Sequence, residues 1–94
     1  MKLRGIIWLR EIVDKLAFKH HVETHEVEEV LDGGPKIRFV ENGERPGEHV
    51  YLALGQTNSG RYLAVLFIYK KTRDALILSA RDMAAKERRQ YAKN

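Results

Sequence analysis

The apolar positions of this chain change period near residue 35, and the change separates a helical first part from a strand-rich second part. Between Leu9 and His20, the residues Leu9, Ile12, Val13, Leu16 and His20 fall at the i, i+3, i+4 spacing of one helix face, after a short strand-like LRGII. A second helix is predicted from Thr24 as its cap. It has Glu26 in the first turn, Val27, Val30 and Leu31 as the apolar stripe, and Gly33-Gly34 as the stop. Beyond Pro35 the pattern turns strand-like through KIRFVE, EHVYLALG, RYLAVLFIYK and DALILSA, each bounded by turn-forming residues. These four strands predict an antiparallel meander. Its turns are Asn58-Ser59-Gly60 and the basic Lys70-Lys71-Thr72-Arg73-Asp74, and the apolar run Tyr62 to Tyr69 is its central strand. Asp82 is expected to cap a last helix that buries Met83, Ala84 and Tyr91 and turns Lys86, Arg89 and Lys93 outward. The expected fold is α+β: two N-terminal helices, an antiparallel meander of about four to five strands and one C-terminal helix, with residues 1–94 as a single domain.

Composition narrows the classes. Hydrophobic residues make up 44% and charged residues 32% of the 94, the balance of a folded chain. No apolar run reaches the roughly 18 residues of a membrane span, and MKLRGIIWLREIVDK breaks into charge too early for a signal peptide, so a cytoplasmic protein without membrane contact is expected. The chain has no cysteine, which removes disulfides, thiolate nucleophiles and sulfur-ligated zinc. Net charge is +4, but residues 1–22, 23–48 and 49–94 carry +3, −5 and +6. A basic C-terminal half suits a polyanionic partner.

Three groups of residues could carry chemistry. The stretch KHHVETH holds Lys19, His20, His21 and His25. As metal ligands its histidines are poorly spaced, because His21 and His25 share a helix face only if one helix runs through the cap at Thr24. A role at the helix terminus, or acid–base chemistry with the lysine beside a phosphate, fits the stretch better. Arg61, Arg73, Arg81, Arg88 and Arg89 offer planar donor forks for phosphate, and their positions suggest convergence near one sheet edge. Glu48 and Glu87 are the carboxylates expected to pair with them, or less simply to act as a base. Tyr51, Tyr62, Tyr69, Tyr91 and Trp8 either pack against the sheet or stack on bases. No glycine-rich phosphate loop and no Ser/His/Asp arrangement is present.

The order of these features resembles the BrnT family of bacterial toxins. A tryptophan follows a short strand, KHHV closes the first helix, and THEVEEVL forms the second. EHVYLALGQTNSGRYLAVLF then forms a hairpin, and SARDMAAKERRQY ends the chain. The resemblance implies a fold similar to the RelE-like ribonuclease toxins. It also implies RNA cleavage without a cofactor or metal, and a cognate antitoxin that covers the toxin and can bind DNA with it. The chain departs from the family pattern at Leu9, where an acidic residue is usual, at Leu16, where asparagine is common, and at His21, where glycine is usual. Carried onto this sequence, the resemblance makes Lys19 and His20 the proton-transfer groups. Arg61, Arg81 and Arg88 become phosphate clamps and Glu48 a reserve base, with Arg73, Lys70, Lys71 and Tyr91 as further RNA contacts. The departures keep a second reading open, a catalytically silent module that binds nucleic acid or protein.

Overall fold

Strand β1 (Gly5–Ile7) leads into helix α1 (Arg10–Lys15), which widens into a π-helical turn over Leu16–His20. Helix α2 (Thr24–Asp32) follows, then strands β2 (Lys36–Glu41), β3 (Val50–Gln56), β4 (Tyr62–Tyr69) and β5 (Asp74–Asp82), and helix α3 (Ala85–Ala92). The computed structural model describes residues 1–93.

The five strands form one sheet in the order β1-β5-β4-β3-β2. Strands β2 to β5 are the antiparallel meander that alternation predicts, and β4 is central. Strand β1 adds itself to the outer edge of β5 in parallel, so the sheet is mixed. The chain can make that parallel step because α1, α2 and three further strands intervene between the two partners.

The side-chain period of two sends β3 to β5 into two cores. On one face Ala53, Leu63, Val65, Phe67, Ala75 and Ile77 pack under Leu16, Val27 and Val30 of the first two helices and Val22 of the link between them. Leu63, Phe67 and Ile77 are fully buried there, and each contributes about 1.5–3 kcal/mol by leaving water. On the other face Leu52, Leu54 and Ala64 meet Met83 and the half-buried Tyr62, Leu66 and Tyr91. Gly55 lets α2 approach β3: a Cβ there would stand 2.9 Å from Val30 Cγ1.

Two caps differ from the sequence reading. Helix α2 is capped by Glu23 rather than Thr24, and the Glu26 carboxylate accepts the Glu23 N–H at 3.0 Å. A reciprocal acid three residues ahead wins over the hydroxyl of Thr24. Asp82 caps nothing. It completes β5 and pairs with Arg61, while Ala84 takes the cap position of α3 and gives its N–H to Glu87 at 2.8 Å. Ala84 is therefore exposed instead of packed, and Glu87 is the buried residue of that helix. Lys86, Arg89 and Lys93 face outward as expected.

Candidate active site

The end of α1 has an unusual backbone. Its last turn is a π-helix, and it closes on His21 in the left-handed region at φ 53°. The Leu16 carbonyl accepts the N–H groups of both His21 and Val22, the latter at 3.0 Å. Single π turns of this kind are frequent at functional sites. Phe18 and Lys19 stand exposed on the turn, Phe18 to 86%, and His20 is half-buried.

Arg61 ties that turn to the sheet. It follows the Thr57–Gly60 hairpin turn, where Gly60 takes φ 93° and Arg61 N–H donates to Thr57 Oγ1 at 3.0 Å. Glu29 of α2 steadies the same turn by accepting the Asn58 N–H at 3.0 Å. The Arg61 guanidinium donates through NH1 to the His21 carbonyl at 2.7 Å and through NH2 to the His20 carbonyl at 3.0 Å. It also meets Glu26 Oε1 at 3.2 Å and, through Nε, Asp82 Oδ1 at 2.8 Å. These partners engage four of its five N–H groups. The guanidinium is stabilised in its charged form chiefly by Asp82, with Glu26 assisting against burial. Asp82 is held below the usual carboxylate range, first by the Arg61 hydrogen bond and in smaller part by the charge of His20, which puts His20 within electrostatic reach.

Arg81 is held differently. Its NH1 and NH2 groups grip Glu87 at 2.6 and 2.9 Å, and NH1 also reaches the Asp82 carbonyl at 3.2 Å. That end-on grip holds Glu87 down to about 2, with the Ala84 N–H helping, and Arg81 itself is pushed up by the same carboxylate. The side-on fork of Nε and the second NH2 hydrogen has no partner among the described residues, and the side chain is 46% exposed. Arg88 lies on the same face at the same end, with its Cζ 4.0 Å from the centre of the Tyr62 ring, and Tyr62 meets Tyr91 edge-on at 6.0 Å.

The register divides the sequence-derived candidates. Gln56 pairs with Tyr62 and Leu63 with Asp82, so Lys19, His20, Arg61, Arg81, Arg88 and Tyr91 gather at one end of the sheet. Val50 pairs with Ile68 and Tyr69 with Ala75, which puts Glu48, Lys70, Lys71 and Arg73 at the other. The eight residues of β4, at about 3.3 Å each, set the two ends roughly 25 Å apart. The convergence expected for Arg73 with Arg61 and Arg81 is thus corrected: Arg73 lies in the turn just before β5, Arg81 is the last but one residue of that strand, and the strand between them is extended. Glu48 is equally remote as a reserve base. It is buried, accepts from Lys70 Nζ at 2.7 Å and from the Lys71 N–H at 3.0 Å, and is held below its usual range by those two bonds. Sequence reasoning missed Asp82 and Glu26 as the anchors of Arg61, because neither position signals which strand end or helix will face it.

Two of the three departures from the family pattern fall at the two ends of the first helix. Leu9 is the N-cap of α1 at φ −86°, ψ 135°, with no side-chain hydrogen bond, where an acidic side chain would satisfy a free N–H. His21 holds the left-handed φ that glycine adopts without strain. The third, Leu16, is buried in the core at 2% exposure. All three bear on the stability of the helix rather than on an exposed reacting group. Among the described residues, no three His, Cys, Asp or Glu side chains converge as a metal site, and no helix is long and apolar enough to cross a membrane.

The comparisons with known proteins agree with this fold. The chain superposes on the crystal structure of the Brucella abortus ribonuclease toxin BrnT with a TM-score of 0.63 and 19% identity, over 88% of this chain and 99% of that one. At that identity the likeness is one of fold. No curated protein matches the chain. A family model described as the ribonuclease toxin BrnT of type II toxin–antitoxin systems matches residues 13–87, from the first helix through the Arg81–Glu87 pair. The chain therefore belongs to the BrnT family of ribonuclease toxins, proteins that work opposite an antitoxin partner.

Proposed function

We propose that this chain cleaves single-stranded RNA in the cytoplasm without a metal ion, at the end of the sheet where α1 terminates. The observation that carries the reading is the Arg61 tie. It holds the main chain of His20 and His21 to Asp82 and Glu26 and leaves the Lys19 and His20 side chains outside the hydrogen-bond network of the described residues. A fixed backbone with free, titratable side chains is what general acid–base catalysis needs.

In the reaction, the ribose 2′-oxygen attacks the adjacent phosphorus while its proton passes to the His20 imidazole. The bond from phosphorus to the 5′-oxygen breaks, and that oxygen takes a proton from the Lys19 ammonium. The products are a 2′,3′-cyclic phosphate and a 5′-hydroxyl, and the two side chains return to their starting states by proton exchange with water. Arg81, steadied by Glu87, offers its open side-on fork to the phosphate, and Arg88 supplies a second cation. Arg61 is a positioning residue. The antitoxin, as a DNA-binding protein, covers this end and silences it.

Cleavage of a single-stranded oligoribonucleotide in the presence of a chelator tests the reading. Wild-type protein is expected to produce cyclic-phosphate ends, and Lys19→Ala and His20→Ala to lose about 10²–10⁴-fold in rate while unfolding at the wild-type temperature. Full activity in both variants, or no growth arrest when the chain is expressed alone, would overturn it in favour of a catalytically silent binding module.

A further inference from the structure

On the α3 side of the same sheet end, an open cleft of about 430 Å³ is lined by Gln56, Tyr62, Arg88, Arg89, Tyr91 and Ala92. From its structure we infer that this cleft is a nucleobase subsite that selects bases carrying an exocyclic amino group over uracil. The inference rests on the ribonuclease reading and adds a specificity element to it.

Three features meet in the cleft. The Arg88 guanidinium lies 4.0 Å above the Tyr62 ring, and Tyr91 braces that ring edge-on at 6.0 Å. Among the described residues the Arg88 guanidinium has no carboxylate or carbonyl partner, unlike Arg61 and Arg81. Its outer face is thus a flat, cationic shelf on which a base can stack, as bases do on arginine planes in single-stranded RNA complexes. The third feature is Gln56, placed beside Tyr62 by the pairing of β3 with β4.

Gln56 supplies the selectivity. Its Nε2 donates to the Gly60 carbonyl at 3.2 Å, which orients the amide, and its Oε1 has no donor among the described residues. An anchored amide with a free carbonyl oxygen accepts from an exocyclic amine, the group that adenine, cytosine and guanine carry and uracil lacks. Uracil carries no exocyclic amine: its one donor at that edge is the ring N3–H, flanked by two carbonyl oxygens that repel the Gln56 oxygen.

The test measures two readouts on the intact protein. Nucleoside 5′-monophosphates (AMP, CMP, GMP and UMP) are titrated while backbone amide shifts are recorded. In parallel, cleavage is compared on oligoribonucleotides that differ only in the base beside the scissile linkage. The expected result is that AMP, CMP and GMP shift the amides around Gln56, Tyr62 and Arg88 at lower concentration than UMP by about fivefold or more, the discrimination of one hydrogen bond. Gln56→Ala should erase the difference, Gln56→Glu should reduce it because a carboxylate cannot donate to the Gly60 carbonyl that orients the acceptor, and Arg88→Ala should weaken all four nucleotides together. Equal binding of the four nucleotides, or a preference unchanged in Gln56→Ala, overturns the subsite even if cleavage proceeds. Selective nucleotide binding without cleavage keeps the subsite and instead removes the catalytic reading.

Discussion

At the Glu48 end of the sheet a buried acid is answered by one lysine and one backbone N–H, while at the His20 end three arginines divide the work between holding and reaching. Both ends are rich in charge. The difference lies in what the paired groups hold. Lys70 closes on Glu48, so their charges cancel in place and the pair secures the loop before β3. At the other end Arg61 and Arg81 take up Glu26, Asp82 and Glu87, and in doing so they fix the backbone that presents Lys19, His20 and Arg88. Counting basic residues would rank the two ends alike, and exposed cations stand at both, Lys71 and Arg73 at one and Lys19 at the other; the ends differ in the main chain that Arg61 fixes beside Lys19.

The largest effect expected from breaking this contrast is at Arg61. Arg61→Ala leaves Glu26, Asp82 and two main-chain carbonyls without their donor, and should lower stability by about 2–3 kcal/mol in urea unfolding and abolish cleavage with it. Lys70→Ala at the far end should cost about 1–2 kcal/mol and leave the cleavage rate within about twofold once the protein is folded. Equal loss of activity in the two variants would erase the distinction between the ends.

A pH titration of stability sharpens it further. Glu87 is held at about 2 and Asp82 and Glu48 below their usual values, so the folded state binds fewer protons than the unfolded chain in the acid range. Their contribution is complete above the unfolded carboxylate range and is lost as pH falls from about 5 toward 2. The urea midpoint should decline through that window. Glu87→Gln should flatten the lower part of the decline, because Arg81 holds Glu87 down to about 2.

The smallest effects belong to the ends of α1. His21→Gly should raise stability by about 0.5–1 kcal/mol by relieving the left-handed φ, and Leu9→Asp by a similar amount, about 0.5–1 kcal/mol, by capping a free N–H. Neither should slow cleavage by more than about twofold. A thermal shift upward with unchanged activity would show that these departures from the family pattern are costs to the helix and not marks of a silent member.

Much of the fold can be read from local pattern. The stripes Val27-Val30-Leu31 and Ile12-Val13-Leu16 and the strand-like runs through β2 to β5 are each visible in a single segment, whereas Leu9, read as part of the first stripe, is exposed at the helix cap. What is not legible depends on partners distant in sequence. Asp82 looks like a helix cap until Arg61, 21 residues earlier, is brought beside it by the β4–β5 register. Arg73 and Arg81 are both read at one sheet edge, yet the extended strand β5, which starts after Arg73 and holds Arg81 next to its end, keeps them apart. The parallel pairing of β1 and the π turn at Leu16–His20 have no periodic signature at all. Within the candidate site, Lys19 and His20 are legible through their chemistry, while the roles of Arg61 and Arg81 depend on which of their N–H groups are already engaged.

The most direct test of the account is single-turnover cleavage of one oligoribonucleotide by His20→Ala and by Glu48→Gln, with both variants shown to be folded by circular dichroism. A loss of about 10²-fold or more in His20→Ala, with Glu48→Gln close to wild type, is the predicted result. Loss in Glu48→Gln with His20→Ala fully active would contradict it and move the site to the other end of the sheet.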